Sequence, residues 1–160
     1  MTIKVGDTIP SVTVRQATAE GPKEVNTAEL FAGRTVVLFG VPGAFTPTCS
    51  AKHLPGFITH AAALKAKGVD TIACMAVNDG FVMGAWAKEQ GITDEVVMLA
   101  DGSADFTRAL GLEMDLTARG LGVRSQRFAL VARNGKVTHL AVEAPGAFEV
   151  SKAEAILAAL

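Results

Sequence analysis

The chain has 160 residues, which is enough for one domain with a sizeable core, and we expect residues 1–160 to form a single domain. Apolar residues make up 49% and charged residues 19%, a composition that excludes an intrinsically disordered chain. The 15 basic and 16 acidic residues give a net charge of −1 without a basic tail or stripe, so nucleic acid is not expected as a partner.

The sequence favours neither membrane insertion nor export. No uninterrupted apolar stretch approaches the roughly 18 residues that a membrane span needs, and the N-terminal residues lack the pattern of a signal peptide. The only cysteines are Cys49 and Cys74. We therefore expect a cytoplasmic location, no membrane partner and no structural disulfide, because a reducing compartment keeps thiols reduced.

The first half of the chain contains one strongly apolar strand followed by a long helix. Residues 3–15 and 22–33 are interrupted by glycine and proline and are typical of short strands or turns. The run from Thr35 to Gly40 is apolar on both faces, which predicts a central parallel strand. A helix is expected from about Pro47 to Lys67, bent near Pro55-Gly56 because proline removes a backbone hydrogen bond.

Strands and helices alternate through the middle of the chain. Strands are predicted at 69–77 and 96–100. Helices are predicted at 79–90, with Trp86 on the apolar side, and at 103–110.

The C-terminal part predicts a hairpin and a final helix. Strands at 127–132 and 136–142 flank Arg133-Asn134-Gly135, an Asn-Gly turn, and Ser151 is expected to cap a helix ending at Leu160. The whole order predicts an α/β fold, with a mixed central sheet and helices on both faces.

The most informative segment is Gly40-Val-Pro42-Gly-Ala-Phe-Thr46-Pro47-Thr48-Cys49-Ser50. Thr46 followed by Pro47 predicts an N-cap and a first helical residue, which places Cys49 in the first turn. Unpaired N–H groups and the helix dipole there favour a thiolate that substrate can reach. The Thr46 hydroxyl can lie on the side of the sulfur, and Pro42 can shield the site from water. The alternative, a small packed thiol, needs none of these neighbours.

Pro42-x-x-x-Thr46-x-x-Cys49 resembles the active-site signature of peroxiredoxins, of the alkyl hydroperoxide reductase/thiol-specific antioxidant superfamily, and the longer block resembles their type II (Prx5-like) branch. The similarity extends over nearly the whole chain, through Val77-Asn-Asp79, Phe81-Val-Met83, Ala85-Trp-Ala87, Leu99-Ala-Asp-Gly-Ser103, Ala109-Leu-Gly111 and Arg124-Ser-Gln-Arg127-Phe-Ala-Leu130. It implies a thioredoxin-like fold.

The resemblance also implies an antioxidant peroxidase that reduces hydrogen peroxide and organic hydroperoxides. Cys49 would be oxidised to a sulfenic acid while Thr46, Arg127 and the N–H of Cys49 hold the peroxide oxygens. Glutathione with glutaredoxin, or thioredoxin, would restore the thiolate. Thr48 stands where many relatives carry glycine, and its N–H can still face substrate.

Two arginines precede the predicted hairpin. Taken alone, Arg127 is most simply a solvated surface residue, but Arg127-Phe-Ala-Leu matches the place of the family's catalytic arginine. On a rigid strand its fork of donors would stabilise the thiolate and the breaking O–O bond. Arg124 is expected to be an ordinary surface arginine.

The role of Cys74 is open from the sequence. Its small and apolar neighbours predict a packed core thiol, whereas its position matches the resolving cysteine of plant-like type II members. A rigid strand is a poor place for a group that must reach Cys49, because a disulfide needs Cα atoms within about 7 Å. We expect a one-cysteine cycle, or only conditional use of Cys74.

The histidines carry weaker expectations. His53 lies four residues after Cys49 on the same helix face, so a cysteine–histidine ion pair is conceivable, although a partly exposed histidine is the simpler interpretation. His60 and His139 are taken as incidental. No metal and no nucleotide cofactor are expected, since the spacings that bind them are absent.

Three other functions compete with peroxide reduction. A thiol-disulfide oxidoreductase would normally carry two cysteines separated by two residues, which this chain lacks. A non-enzymatic redox sensor could use Cys49 as a switch, and a cysteine hydrolase would need a histidine base that is not evident. The resemblance further implies a homodimer, for which Phe45, Phe81 and Met83 could form an apolar patch, although core or loop packing would also explain them.

Overall fold

A computed structural model describes residues 1–160, and its centre is a seven-stranded sheet of order β2-β1-β5-β4-β3-β8-β9. The strands are β1 (Thr13–Gln16), β2 (Lys23–Asn26), β3 (Thr35–Gly40), β4 (Thr71–Ala76), β5 (Val97–Ala100), β6 (Glu113–Leu116), β7 (Gly122–Ser125), β8 (Phe128–Arg133) and β9 (Lys136–Val142). β3, β4 and β5 run parallel, whereas the outer strands pair antiparallel. The predicted mixed sheet is confirmed.

Helices cover both faces of this sheet, as predicted. They are α1 (Thr27–Phe31), α2 (Leu54–Thr59), α3 (Ala61–Ala66), α4 (Gly80–Glu89), α5 (Asp105–Leu110) and α6 (Ala153–Ala159). Side chains of α2, α3, α4 and α6 share one apolar core with the sheet, and those of α1 and α5 share the other. No helix has the length and hydropathy that crossing a membrane would require.

Strand β3 explains why the sheet has two cores. Val37 and Phe39 belong to one core, and Val36 and Leu38 belong to the other, because successive side chains point to opposite faces. All four of these side chains are fully buried, as expected for a strand covered on both faces. At its end, Gly40 lies opposite Phe128 of β8. This pairing brings the loop after Gly40 next to the residues that precede β8.

The helix predicted over 47–67 is present but differs in two places. Its first full turn is a π-helix, Cys49–His53, in which the N–H of Leu54 donates to the carbonyl of Cys49. The wide turn ends just before Pro55, which has no N–H to continue an α-helical pattern. The bend expected near Pro55-Gly56 stays a prediction; the irregularities that the structure shows are this π-helical turn before Pro55 and an interruption at His60.

The predicted hairpin β8–β9 is confirmed, with Asn134 at φ 50° and Gly135 at φ 76° in its turn. The expected cap at Ser151 is wrong. Lys152 occupies the N-cap position of α6, and the Ser151 hydroxyl donates instead to Glu143 at 2.7 Å. The small sheet of β6 and β7 was not predicted from the sequence.

Candidate active site

The π-helical turn places Cys49 at the junction of β3 and the helical segment that follows. Cys49 has no solvent-exposed surface, so the expectation of a readily reached sulfur is wrong. The N–H groups of Thr48 and Cys49 have no acceptor within the protein, as expected for the start of a helix. The sulfur therefore lies in an enclosed site that offers unpaired donors nearby.

Arg127 is the polar side chain that contacts the sulfur. Its Nη2 donates to Cys49 Sγ at 3.1 Å across a sequence separation of 78 residues. Arg127 lies directly before β8 rather than within it. Since Arg127 is half-buried, the alternative of a solvated surface arginine is wrong. A guanidinium at this distance places a full positive charge and a hydrogen-bond donor beside the sulfur.

His53 is the site residue that sequence reasoning underestimated. It is fully buried, not partly exposed, and its Nδ1 accepts a hydrogen bond from Arg127 Nη1 at 2.9 Å. Since Nδ1 accepts, Nε2 carries the proton and donates to the carbonyl of Ser151 at 3.0 Å. Burial, and next the charge of Arg127, lower the pKa of His53 to about 3. The imidazole is therefore neutral near pH 7, which excludes a cysteine–histidine ion pair.

Thr46 does not make the N-cap hydrogen bond that the sequence predicts. The hydroxyl of Thr46 donates to the carbonyl of Gly43 at 2.7 Å, and the structure gives it no hydrogen bond to Cys49. Thr46 thus stabilises the loop that precedes the cysteine. A free lone pair remains on its oxygen, since a hydroxyl can accept as well as donate.

Pro42 is held in place by the second arginine. Arg124 Nη1 donates to the carbonyl of Pro42 at 3.2 Å, while its Nε donates to Leu121 at 2.9 Å. A Cβ added to Gly43 would lie 2.5 Å from Arg124 Nη1, so glycine leaves room for this side chain. Arg124 is half-buried and supports the loop, which corrects the expectation of an ordinary surface arginine.

Cys74 lies in the middle of β4, opposite Phe39 of β3, with no exposed surface. Burial, followed by the neighbouring Cys49, raises the pKa of its thiol well above the ordinary value. The surroundings are those of a packed core thiol, which is the simpler of the two sequence interpretations. Both cysteines are free.

The predicted apolar patch is only partly present at the surface. Phe45 is 52% exposed and Phe81 is 77% exposed, whereas Met83 is fully buried in the core. Met83 therefore cannot belong to a docking surface, and the packing alternative is correct for it. Phe45 also has a φ of 64°, an uncommon conformation for a bulky residue, directly before Thr46.

No cluster of three or more histidine, cysteine, aspartate or glutamate side chains could hold a metal ion. Of the residues selected from the sequence, the structure brings Cys49 and Arg127 into contact and keeps Pro42 and Thr46 in the adjoining loop. It also brings in His53, which the sequence favoured as a partly exposed histidine, and Ser151, which was not expected at the site. The spacing of His53 from Cys49 on one helix face was the available signal, whereas nothing local indicates Ser151.

Known proteins resemble the chain over nearly its full length. Residues 4–157 match the Redoxin family. The chain is 57% identical to Peroxiredoxin-2E-2, chloroplastic, of Oryza sativa subsp. japonica, over 99% of this chain and 73% of that protein. It is 54% identical to Peroxiredoxin-2C of the same organism, over 99% of this chain and 98% of the other.

The fold agrees with these sequence matches. The crystal structure of reduced Prx3 from Vibrio vulnificus in complex with hydrogen peroxide superimposes with a TM-score of 0.93 at 57% identity, covering 99% of this chain and 96% of that one. This similarity confirms the thioredoxin-like fold expected from the sequence. The chain belongs to the peroxiredoxin family and is a thiol-dependent peroxidase.

Proposed function

We propose that Cys49 reduces hydrogen peroxide and organic hydroperoxides and that Arg127, Thr46 and Pro42 assist it. The observation that carries this assignment is the 3.1 Å hydrogen bond from Arg127 Nη2 to Cys49 Sγ. This contact places a positively charged donor directly beside the nucleophilic sulfur. Hydrogen peroxide is the compound bound in the Vibrio vulnificus structure, which supports it as a substrate of this chain.

Because Cys49 has no exposed surface, the proposed reaction begins with an opening of the site that admits the hydroperoxide. A sulfur lone pair then attacks the terminal oxygen of the hydroperoxide. A sulfur–oxygen bond forms while the O–O bond breaks, and the bonding pair leaves on the other oxygen as alkoxide or hydroxide. That oxygen takes up a proton and departs as alcohol or water. Cys49 is oxidised to a sulfenic acid, and the peroxide is reduced by two electrons.

Arg127 and the start of the helix stabilise the charge that moves during this step. The guanidinium forms one hydrogen bond with the sulfur, and its further N–H groups are donors for the leaving oxygen, where negative charge develops. The unpaired N–H groups of Thr48 and Cys49 are further donors at fixed positions. Thr46 keeps its lone pair for the O–H of the substrate, because its own proton is directed to Gly43.

The reductant that we propose is glutathione with glutaredoxin, or alternatively thioredoxin. An external thiol would attack the sulfenic sulfur, release water and leave a mixed disulfide, which a second thiol would reduce. The buried Cys49 must first become accessible, and local opening of the π-helical turn would achieve this. The packed and poorly ionised thiol of Cys74 favours this cycle over one that uses an internal disulfide.

We also propose a homodimer whose contact surface includes Phe45 and Phe81. Phe45 is 52% exposed and Phe81 is 77% exposed, which is high for phenylalanine. Phe45 lies in the active-site loop, and Phe81 lies at the start of α4. The cytoplasmic location stays a prediction.

Peroxide turnover of three variants tests the assignment. Wild type, Cys49→Ser and Cys74→Ser are compared, each with glutathione and glutaredoxin and with thioredoxin. We expect Cys49→Ser to lose turnover with both donors and Cys74→Ser to retain it with at least one. Full turnover by Cys49→Ser would exclude the proposed nucleophile. Loss of turnover by Cys74→Ser with both donors would exclude the one-cysteine cycle.

A further inference from the structure

Glu143 is a buried carboxylate outside the catalytic contacts. It lies directly after β9 and is 7% exposed. Its Oε2 accepts hydrogen bonds from the Ser151 hydroxyl at 2.7 Å, the Ser151 N–H at 2.9 Å and the Glu149 N–H at 2.8 Å. Burial alone would raise the pKa of Glu143, but these hydrogen bonds outweigh it and lower the pKa, which keeps the carboxylate ionised. Such a group fixes the segment that it binds.

The hydrogen bonds around Glu143 close into a ring that contains Arg127. The backbone N–H of Glu143 donates to the carbonyl of Arg127 at 2.9 Å. Its side chain holds Ser151, the carbonyl of Ser151 accepts from His53 Nε2, and His53 Nδ1 accepts from Arg127 Nη1. Arg127 is thus held at both its backbone and its guanidinium. The other terminal nitrogen of the guanidinium, Nη2, is the one that contacts Cys49.

The same segment supplies an aromatic wall for this ring. Phe148 lies between Glu143 and Ser151 in sequence, and its ring centroid is 5.1 Å from that of His53 in an edge-on arrangement. The Cζ atom of Arg127 is 5.9 Å from the Phe148 centroid, within the range of a cation–π contact. A fixed position of this segment therefore holds His53 and Phe148, two of the groups that contact the guanidinium.

We propose that Glu143 is a positioning residue that holds Arg127 on Cys49 through Ser151 and His53. This inference rests on the proposed role of Arg127 in peroxide reduction. Glu143 does not touch the sulfur. Without its carboxylate, the Ser151 carbonyl and the His53 ring lose their fixed positions, and the guanidinium can rotate away from the reacting atoms. Small displacements of a catalytic donor reduce rates strongly.

The test measures the rate constant for oxidation of Cys49 by hydrogen peroxide in stopped flow. Trp86 is the only tryptophan, and its Nε1 donates to Ser50 beside Cys49, so its fluorescence can report the reaction. Glu143→Gln and His53→Ala are each expected to lower the rate constant roughly tenfold, the effect of losing one hydrogen bond to a charged group. Ser151→Ala should lower it less, because the backbone N–H and carbonyl remain.

The decisive variant combines His53→Ala with Glu143→Gln. If Glu143 acts through His53, the double variant should be no slower than the slower single variant. Losses that multiply in the double variant, or a rate constant within twofold of wild type for Glu143→Gln, would overturn the proposal. Glu154→Gln, an exposed glutamate on α6, is the matched control and should keep the wild-type rate.

Further measurements distinguish a loss of positioning from a loss of folding or of overall activity. The KM for the thiol reductant should stay within twofold of wild type in the Glu143, Ser151 and His53 variants, because the proposal assigns these residues to the oxidation of Cys49 by peroxide. If Glu143→Gln does not fold, as judged by near-UV circular dichroism, Ser151→Ala combined with His53→Ala replaces it under the same criterion. Peroxide oxidation that also persists in Arg127→Ala would instead refute the proposed role of Arg127.

Discussion

Two hydrogen bonds of a single guanidinium connect the reacting sulfur to the buried part of the site. Arg127 donates from Nη2 to Cys49 Sγ at 3.1 Å and from Nη1 to His53 Nδ1 at 2.9 Å. A planar fork can satisfy both acceptors at once, whereas an ammonium group on a flexible chain cannot do so in the same geometry. Charge alone is therefore insufficient at this position.

Replacing Arg127 with lysine tests this requirement. We expect Arg127→Lys to lower kcat/KM for hydrogen peroxide roughly 100-fold, the size of effect seen when one preorganised donor is removed from a transition state. Steady-state turnover with excess reductant measures the change. Arg119→Lys, an exposed arginine in the turn Thr117–Arg119, is the control and should be neutral. Equal activity of Arg127→Lys and wild type would show that only the positive charge matters.

The neutral state of His53 makes the folded protein sensitive to acid. Its pKa is about 3 in the folded chain and near 6.5 in an unfolded one, so the unfolded state binds more protons between these values. The contribution of His53 to stability is fully present above pH 6.5 and is lost as the pH falls toward 3. Each pH unit inside this window removes up to about 1.4 kcal/mol.

Urea unfolding of wild type and His53→Gln at several pH values between 7 and 4.5 measures this contribution. The free energy of unfolding should fall more steeply with decreasing pH in wild type than in His53→Gln, because glutamine does not titrate. His139→Gln serves as the control and should follow the wild-type slope. Parallel curves for wild type and His53→Gln would contradict the assignment of a neutral, buried imidazole.

At the scale of elements, the site depends on how closely β3 and β8 approach each other. Gly40 lies opposite Phe128, and a Cβ added at Gly40 would lie 2.1 Å from Phe128 Cε1. Phe128 is fully buried and cannot move aside. The glycine is thus needed for the pairing that sets the motif loop beside Arg127.

Gly40→Ala should destabilise the protein by about 1–3 kcal/mol, the usual cost of overpacking a core. Gly84→Ala is the matched control, since Gly84 is inside α4 and an added Cβ would meet only Ala17 at 3.8 Å. Alanine there should stabilise by about 0.5–1 kcal/mol, because it favours the helix. Thermal unfolding gives both values, and a neutral Gly40→Ala would refute the close-packing argument.

The elements that sequence patterns predicted correctly are those with strong local signals. The apolar run of β3, the helix with Trp86 on its buried side and the Asn-Gly turn all follow from the residues themselves. The π-helical turn at Cys49–His53 does not, because it differs from an α-helix by one residue in a hydrogen-bonded ring. Ser151 does not cap α6, because the helix begins one residue later than expected and Lys152 occupies the N-cap position.

The candidate site was predictable only in part, because several of its contacts join residues that are far apart in the sequence. The favourable setting of Cys49 is local, but its contact with Arg127 joins residues 78 positions apart and was expected from the family resemblance alone. Burial of His53 depends on packing against Phe39 and Phe57, at ring distances of 4.9 and 5.7 Å, which no local pattern specifies. Tertiary packing therefore decides which polar residues join the site.

For the whole molecule, the exposed phenylalanines Phe45 and Phe81 predict self-association. Sedimentation velocity at micromolar concentration should give a dimer for wild type and a monomer for Phe81→Asp, because a buried carboxylate without a partner opposes the contact. Val5→Asp changes another exposed apolar residue and should leave the dimer intact. A monomeric wild type in both reduced and oxidised states would rule out the proposed dimer.

The central claim is that Cys49 is oxidised to a sulfenic acid by peroxide and that Arg127 promotes this step. It is tested most directly by adding one equivalent of hydrogen peroxide to the reduced protein in the presence of dimedone, followed by peptide mass spectrometry. We predict a single adduct on Cys49, none on Cys74, and a much slower appearance of the adduct in Arg127→Lys. An adduct on Cys74, or none on Cys49 while peroxide is consumed, would contradict the account.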